Sequence, residues 1–449
     1  MGGSVNLLSE EFWTRLEYGG NHLLIKEPNI CDPTVKQYSG YFTVNATNDR
    51  KYFFWFFEAR NSPSTSPTTL WLSGGPGASS ILGLLMENGP CGVLDDGVTT
   101  QFNDDGWNHA SNMVWLDQPA GTGYSMGKHE HSLAEVRDDL YSFIQAFFHH
   151  FPQYNRDFHI TGESFAGHYI PAIADKIVKE NENIRQRNES TLHTFVDLRG
   201  MAIGNGDTDT PHSAQYMAQM AFAAGVVNRT VFDKMIASVP STTELMLRCA
   251  EILDKLKEPV DLSAIPQACW DANMAYMVNI MLPVQSTGRN IYDLRLNGTY
   301  NLSRYTSFLN TPEIMKALGA LKNWTTINVG VTLDLYFDDA YRIYNPEVER
   351  VLDSGIKVLI YAGDQDYICN WLVGDAWTKR LQWRGANDFA REDLQPYTIH
   401  NDAIGEIRRK NNLAFIRVYN AGHMVPHDQP RASLLMIENF LSGDMFASS

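Results

Sequence analysis

Cysteine is scarce. The 449 residues contain five, Cys31, Cys91, Cys249, Cys269 and Cys369, and no two share a Cys-x-x-Cys spacing. That excludes a disulfide-built scaffold and the usual thiolate zinc centre, and the odd count leaves at least one thiol unpaired within a monomer. Positive charge is also short: 36 Lys and Arg stand against 52 Asp and Glu, for a formal net charge of -16. Such a chain is a poor partner for nucleic acid or an anionic membrane surface. No apolar run approaches the roughly 18 residues of a spanning helix, and the longest candidates, such as YSFIQAFFHHF, carry histidines at helical spacing. A phosphate loop is missing too, because the glycine-rich SGGPG at 73–77 has neither the Lys of GxxxxGK[ST] nor the GxGxxG spacing. The opening MGGSVNLLSEEFW has no basic n-region and no apolar h-region. The expectation is a cytosolic chain or one whose signal has been removed. Six sequons, at Asn45, Asn188, Asn228, Asn297, Asn301 and Asn323, tip this toward the secretory route, against about four expected by chance.

What is present is a strand-and-helix alternation. TTLWLSGG, NMVWLDQPAG, DFHITGES and LRGMAIGNG are continuous apolar runs ending in glycine-rich or polar loops, the pattern of central parallel strands covered on both faces. GIKVLIYAGDQD and LAFIRVYNAGHMVP repeat it near the C-terminus. Between them, SLAEVRDDLYSFIQAFFHHF has apolar residues at i, i+3 and i+4 and begins at an expected Ser132 N-cap with Glu135 three residues on. The expectation is an α/β fold with a mostly parallel sheet and helices on both faces. Residues 206–330 read differently, as Met-rich helical segments without a convincing buried strand. The division expected is therefore a core in two parts, 1–205 and 331–449, interrupted by a helical cap insertion at 206–330.

Reactive groups in open parallel sheets gather at the carboxyl ends of the strands. There the chain places Ser164 in GESFAG, Asp364 and Asp366 in GDQD, and His423 in NAGHMVP. Serine, acid, histidine is the chain order of the α/β-hydrolase triad, in which an imidazole takes the serine proton and a buried carboxylate orients the imidazole. The residues alone leave Asp364 and Asp366 as alternatives for the acid. An oxyanion hole needs backbone N–H groups, for which Phe165 and the SGGPG loop are candidates. Glu163, directly before the serine, is an unexpected charge beside a site that must build an oxyanion.

The segments QYSGYF, FFWFFEAR, LWLSGGPGASS, ENGPC, WLDQPAGTGYS, FHITGESFAGHYIP, AIGNG, TGRNIYDLR, YAGDQDYICNW and AGHMVPHDQP, in this order, resemble the serine carboxypeptidase family, carboxypeptidase Y-like and closest in pattern to its fungal carboxypeptidase S1 type. The resemblance implies an α/β-hydrolase fold with a helical cap. It places the nucleophile at Ser164, the base at His423 and the acid at Asp366. It also implies oxyanion donors at Gly75 and Phe165, and a clamp for the substrate's terminal carboxylate at Trp71, Ser73, Gly74 and Glu163. The pocket it implies is lined by Leu82, Met86, Glu87, Ile368, Cys369 and Met424. Expected partners are peptide or protein C-termini; no metal or cofactor, no nucleic acid and no membrane is expected, and the chain is expected to be a monomer or homodimer. Localisation is expected to be secreted or vacuolar. Glu163 would share a proton with the substrate carboxylate, which favours acidic conditions. Ser73 stands where the family usually has Asn, and Ala78 where many members have Cys. The first departure keeps acyl transfer from the same acyl-enzyme as a second reading, and a non-catalytic binding relative is a third. Cys369 matches a free thiol of the family; the other four cysteines allow three connectivities, of which Cys249 with Cys269 is preferred.

Overall fold

The computed structural model describes residues 14–18, 21–186, 193–256, 259–260 and 262–447. Twelve strands form one sheet: β1 (Thr14–Tyr18), β2 (Asn21–Lys26), β3 (Gln37–Asn45), β4 (Arg50–Phe57), β5 (Thr68–Leu72), β6 (Asn112–Asp117), β7 (Phe158–Ser164), β8 (Leu198–Gly206), β9 (Lys357–Gly363), β10 (Gln395–Ile399), β11 (Asp402–Lys410) and β12 (Leu413–Val418). Their order is β1-β2-β3-β4-β6-β5-β7-β8-β9-β12-β11-β10. The six strands from β6 to β12 in that order are parallel, and the flanking strands are antiparallel. This is the α/β-hydrolase fold, and each of the six runs singled out in the sequence is one of its parallel strands.

Burial on both faces explains the continuous apolar character. In β4, Phe54 and Phe56 enter one core with Leu70, Ile160 and Ile203, whereas Phe53, Trp55 and Phe57 enter the other with Trp71, Trp115 and Leu359. The first core is closed by helices α1 (Leu133–His150) and α2 (Ala166–Gln186), the second by a helix near the C-terminus, Pro430–Ser442. Ser132 caps α1 as expected, accepting the N–H of Glu135. The Glu135 side chain, however, turns to Arg50 rather than back to the cap.

Arg50 is the centre of a buried network. Its guanidinium donates to the carbonyls of Lys128 and His129 and to Asp139, and lies 3.9 Å from Glu130, which also accepts from Tyr52 and Ala120 N–H. Burial pushes the Glu130 carboxyl up to about 7, against the pull of its hydrogen bond to Tyr52 and of Arg50. Arg50→Met should therefore destabilise the fold by about 3–5 kcal/mol at pH 7.5 by leaving buried carboxylates without a cation. The loss should shrink at pH 5, where Glu130 is protonated; urea denaturation at both values reads this.

Between β8 and β9 the chain is mainly helical, with α3 (Ala214–Ala223), α4 (Arg229–Leu253), α5 (Gln267–Tyr276) and α6 (Val329–Asp339). A short hairpin, Arg289–Asn290 with Asp293–Asn297, interrupts them. Cys249 of α4 is bonded to Cys269 of α5, Cys31 to Cys91, and Cys369 is free. Among the described residues no helix is long and apolar enough to cross a membrane. The Asn188 sequon lies outside the described residues.

Candidate active site

Ser164 is the last residue of β7 and turns into α2 with φ 63°, a left-handed conformation that is costly for a residue with a side chain. The turn is tight. A Cβ on Gly167 would stand 2.3 Å from the Asp207 carbonyl oxygen, so the glycine demanded by close packing is Gly167, while Ala166 is accommodated one residue earlier. The Ser164 carbonyl is held from behind by the Asp207 N–H at 3.0 Å.

The loop after β5 lies against this elbow. A Cβ on Gly74 would fall 2.3 Å from the Phe165 nitrogen and 2.8 Å from Ser164 Cβ, so only glycine lets the loop approach the serine so closely. Gly75 follows with φ 110°.

Of the two aspartates in GDQD, Asp366 reaches the histidine. It is fully buried, and its Oδ2 lies 2.9 Å from His423 Nδ1. It also accepts from Asn205 Nδ2 at 2.8 Å and from the N–H groups of Ile368 and Cys369. Asp364 points elsewhere, to Asn420 N–H and Arg417. The His423 N–H donates to the Tyr292 carbonyl, and its ring meets the edge of Tyr292. Burial pulls the imidazole down, but the charge and hydrogen bond of Asp366, with Glu163 beyond, outweigh it and hold His423 above the ordinary histidine range. This fixes the tautomer, with Nδ1 donating to the carboxylate and Nε2 left to accept a proton.

Glu163 does not face bulk water. It is 8% exposed and hydrogen-bonded to a second carboxyl, Glu87. Two carboxyls in that contact favour a proton held between them. Burial and the Glu163 charge push Glu87 well above the carboxylate range, and burial also raises Glu163 against the pull of His423. Glu87 is presented by an irregular π-helical turn, Leu84–Asn88, a feature frequent at functional sites. In the sequence Glu87 reads as a pocket residue; its pairing with Glu163 is legible only in three dimensions, as is the Asn205 bond to Asp366.

Trp71 is fully buried and spends its indole N–H on Ser73 Oγ at 3.1 Å. Ser73 thus accepts from below and keeps its own hydroxyl hydrogen to give away. The Cys369 sulfur, an Asp366 oxygen and a His423 ring nitrogen lie within 4.8 Å of one another; burial pushes the thiol well up, so it stays protonated. Leu82 and Met86 are half-buried beyond the Gly74 loop. Met86 is tied to the Met424 region through its carbonyl and His427 Nδ1, 3.0 Å apart.

Against this geometry, the family model described as "Serine carboxypeptidase" matches residues 28–443. The chain belongs to the serine carboxypeptidase family. As a serine carboxypeptidase it is a serine hydrolase acting on peptides. It is 38% identical over 425 residues to carboxypeptidase Y of Candida albicans, covering 92% of this chain and 74% of the relative. It is 37% identical over 430 residues to carboxypeptidase Y homolog A of Phaeosphaeria nodorum, with the same coverage. Among solved structures it resembles Kex1(delta)p, a prohormone-processing carboxypeptidase from Saccharomyces cerevisiae. That match has a TM-score of 0.76 and 25% identity, over 97% of this chain and 96% of the other.

Proposed function

We propose that this serine carboxypeptidase releases C-terminal residues one at a time through an acyl-enzyme on Ser164, with acidic conditions favoured. The observation that carries the proposal is the buried Glu163–Glu87 carboxyl pair immediately before the serine. Ser164 Oγ attacks the scissile carbonyl as His423 Nε2 takes its proton, and Asp366 steadies the imidazolium. The N–H groups of Gly75 and Phe165 receive the oxyanion. His423 then protonates the departing amine, and water repeats the sequence on the acyl-enzyme. The leaving residue's carboxylate is gripped by the Ser73 hydroxyl, the Gly74 N–H and protonated Glu163, while Trp71 orients Ser73 from beneath. Leu82, Met86 and Met424, with Ile368 and Cys369 across the cleft, form apolar walls that favour hydrophobic residues at the cut.

Residues 206–330 act as a cap on a core formed by 1–205 and 331–449, although α6 runs across the second boundary. The formal net charge of -16 argues against nucleic-acid and anionic-membrane partners, and the chain is proposed to be a monomer or homodimer. The sequons at Asn228, Asn297, Asn301 and Asn323 are on exposed residues, which supports a glycosylated, secreted or vacuolar protein. Acyl transfer is the second reading, favoured by the Ser73 hydroxyl where a longer amide is usual. A mixed peptide pool digested at pH 5 and weighed by mass spectrometry should show ladders shortened from the C-terminus only. Internal cuts, or intact peptides alongside transfer of an activated ester to alcohols, would reverse the ranking.

A further inference from the structure

A second buried ionic cluster lies directly behind the nucleophile, outside the triad. His168, in the first turn of α2, is fully buried, and its ring lies flat on that of Phe165, with centroids 4.3 Å apart and planes at 13°. Its Nδ1 is 2.6 Å from Asp339 Oδ2, and the other oxygen of Asp339 accepts from the Tyr344 hydroxyl at 2.7 Å. Among the described residues its Nε2 has no hydrogen-bond partner, and it stands 4.0 Å from Asp207 Oδ2. Asp207 is the residue whose N–H holds the Ser164 carbonyl. The next residue, Thr208, donates its hydroxyl to the Gly167 carbonyl and accepts the Tyr344 N–H. Three segments therefore meet on one imidazole: the start of α2, the loop after β8 and the chain leaving α6.

An apolar residue would fill this space without the cost of desolvating charges. What the ionic pair adds is direction. Ser164 is held at φ 63°, and such a conformation persists only where its surroundings over-determine it. Asp207 fixes the serine from one side; the His168 ring fixes Phe165 on the other. We propose that His168 is a positioning residue: locked by Asp339, its ring holds Phe165 so that the backbone N–H beside Ser164 faces the developing oxyanion. This rests on the reading of Ser164 as nucleophile and Phe165 N–H as donor.

The groups facing His168 are Asp339, Asp207, Tyr344 and Arg342, with Asp209 and Tyr276 around Asp207. Burial opposes the cation, but Asp339 and Asp207 outweigh burial and Arg342, so His168 stays charged above the ordinary histidine pKa. The lock is thus strongest in acid and weakens as pH rises through that raised value, where the neutral ring keeps only its Nδ1–H bond to Asp339. His423 has the opposite slope, because it works as a base only when neutral.

The test compares His168→Gln, Asp339→Asn and Tyr344→Phe with the parent, using a peptide substrate across pH 4.5–8.5 and fluorophosphonate labelling of Ser164. For His168→Gln, kcat should fall by about ten- to a hundredfold with KM within about twofold, as for a displaced oxyanion donor. For Asp339→Asn, the alkaline limb of kcat should move acidward by about one unit, and for Tyr344→Phe by less. Variants with a lower Tm but the parent's kcat and pH profile would reduce the cluster to packing and overturn the proposal. If His168→Gln does not fold, Asp339→Asn decides alone, and an unmoved alkaline limb overturns the proposal. A parent that is not labelled at Ser164 sinks the nucleophile reading and this inference with it; a labelled parent with unaffected variants sinks only the inference.

Discussion

Ser164→Ala and His423→Ala should each lower kcat on a peptide with a free C-terminus by about a millionfold, and the double substitution should be little worse than either. In the proposed triad the two side chains act as one unit: without the imidazole the hydroxyl keeps its proton, and without the hydroxyl the imidazole has nothing to activate. Asp366→Asn should cost less, about ten-thousandfold, because His423 remains but loses the carboxylate that fixes its tautomer. Asp364→Asn tests the assignment of the acid. Its carboxylate is engaged with Asn420 and Arg417, so kcat should stay within about threefold of the parent. A stopped assay with product quantified by mass spectrometry spans this range. Independent, additive losses for Ser164 and His423 would contradict the triad.

Legibility in the sequence followed burial. The six parallel strands are covered on both faces, so they appear as unbroken apolar runs such as TTLWL and NMVWLD that no amphipathic helix resembles. The antiparallel extension was harder to read. Strand β3, QYSGYFTVN, mixes aromatic, small and polar residues, yet nearly all of it is buried, because Gln37 and Ser39 find carbonyl partners at Ile30, Asp32 and Leu318. Those partners are distant or irregular and leave no periodic trace. The hairpin at 289–297 is too short to carry a pattern. Within the site, chain order and glycine loops point to Ser164 and His423 as candidates, but the residues alone do not separate Asp364 from Asp366, which differ only in where a loop turns. Glu87 illustrates the same limit: in the sequence it is one acid after the apolar stretch ILGLLM, and only the fold shows that its partner is Glu163.

That pair leads to the second large effect. A substrate carboxylate arriving about 4 Å from a charged Glu163 would be repelled by about 4 kcal/mol at an effective dielectric of 20, near three pKa units. On the proposed reading, binding is therefore favourable only while the pair keeps its proton. Burial holds both carboxyls above the ordinary range, so the protonated form of the pair is abundant in acid and is lost as pH rises through the raised values. KM for peptides with a free terminal carboxylate should accordingly rise about ten- to a hundredfold between pH 5 and 7.5, whereas blocked ester or amide substrates, which bring no second charge, should keep a nearly flat KM. Glu163→Gln supplies a permanent N–H donor in place of the titrating proton. Its KM should be nearly independent of pH and lower than the parent's at pH 7.5, with acylation of Ser164 by an ester preserved. The same sign applies to stability: a carboxyl whose folded pKa is raised stabilises the fold below the ordinary glutamate pKa and loses that contribution as pH rises through the raised one. Glu87→Gln should thus raise Tm relative to the parent at pH 7.5 and make little difference at pH 4.5. Parallel KM profiles for free and blocked substrates would show that the carboxyl pair does not meet the chain end, and would remove the basis for acid-favoured exopeptidase action.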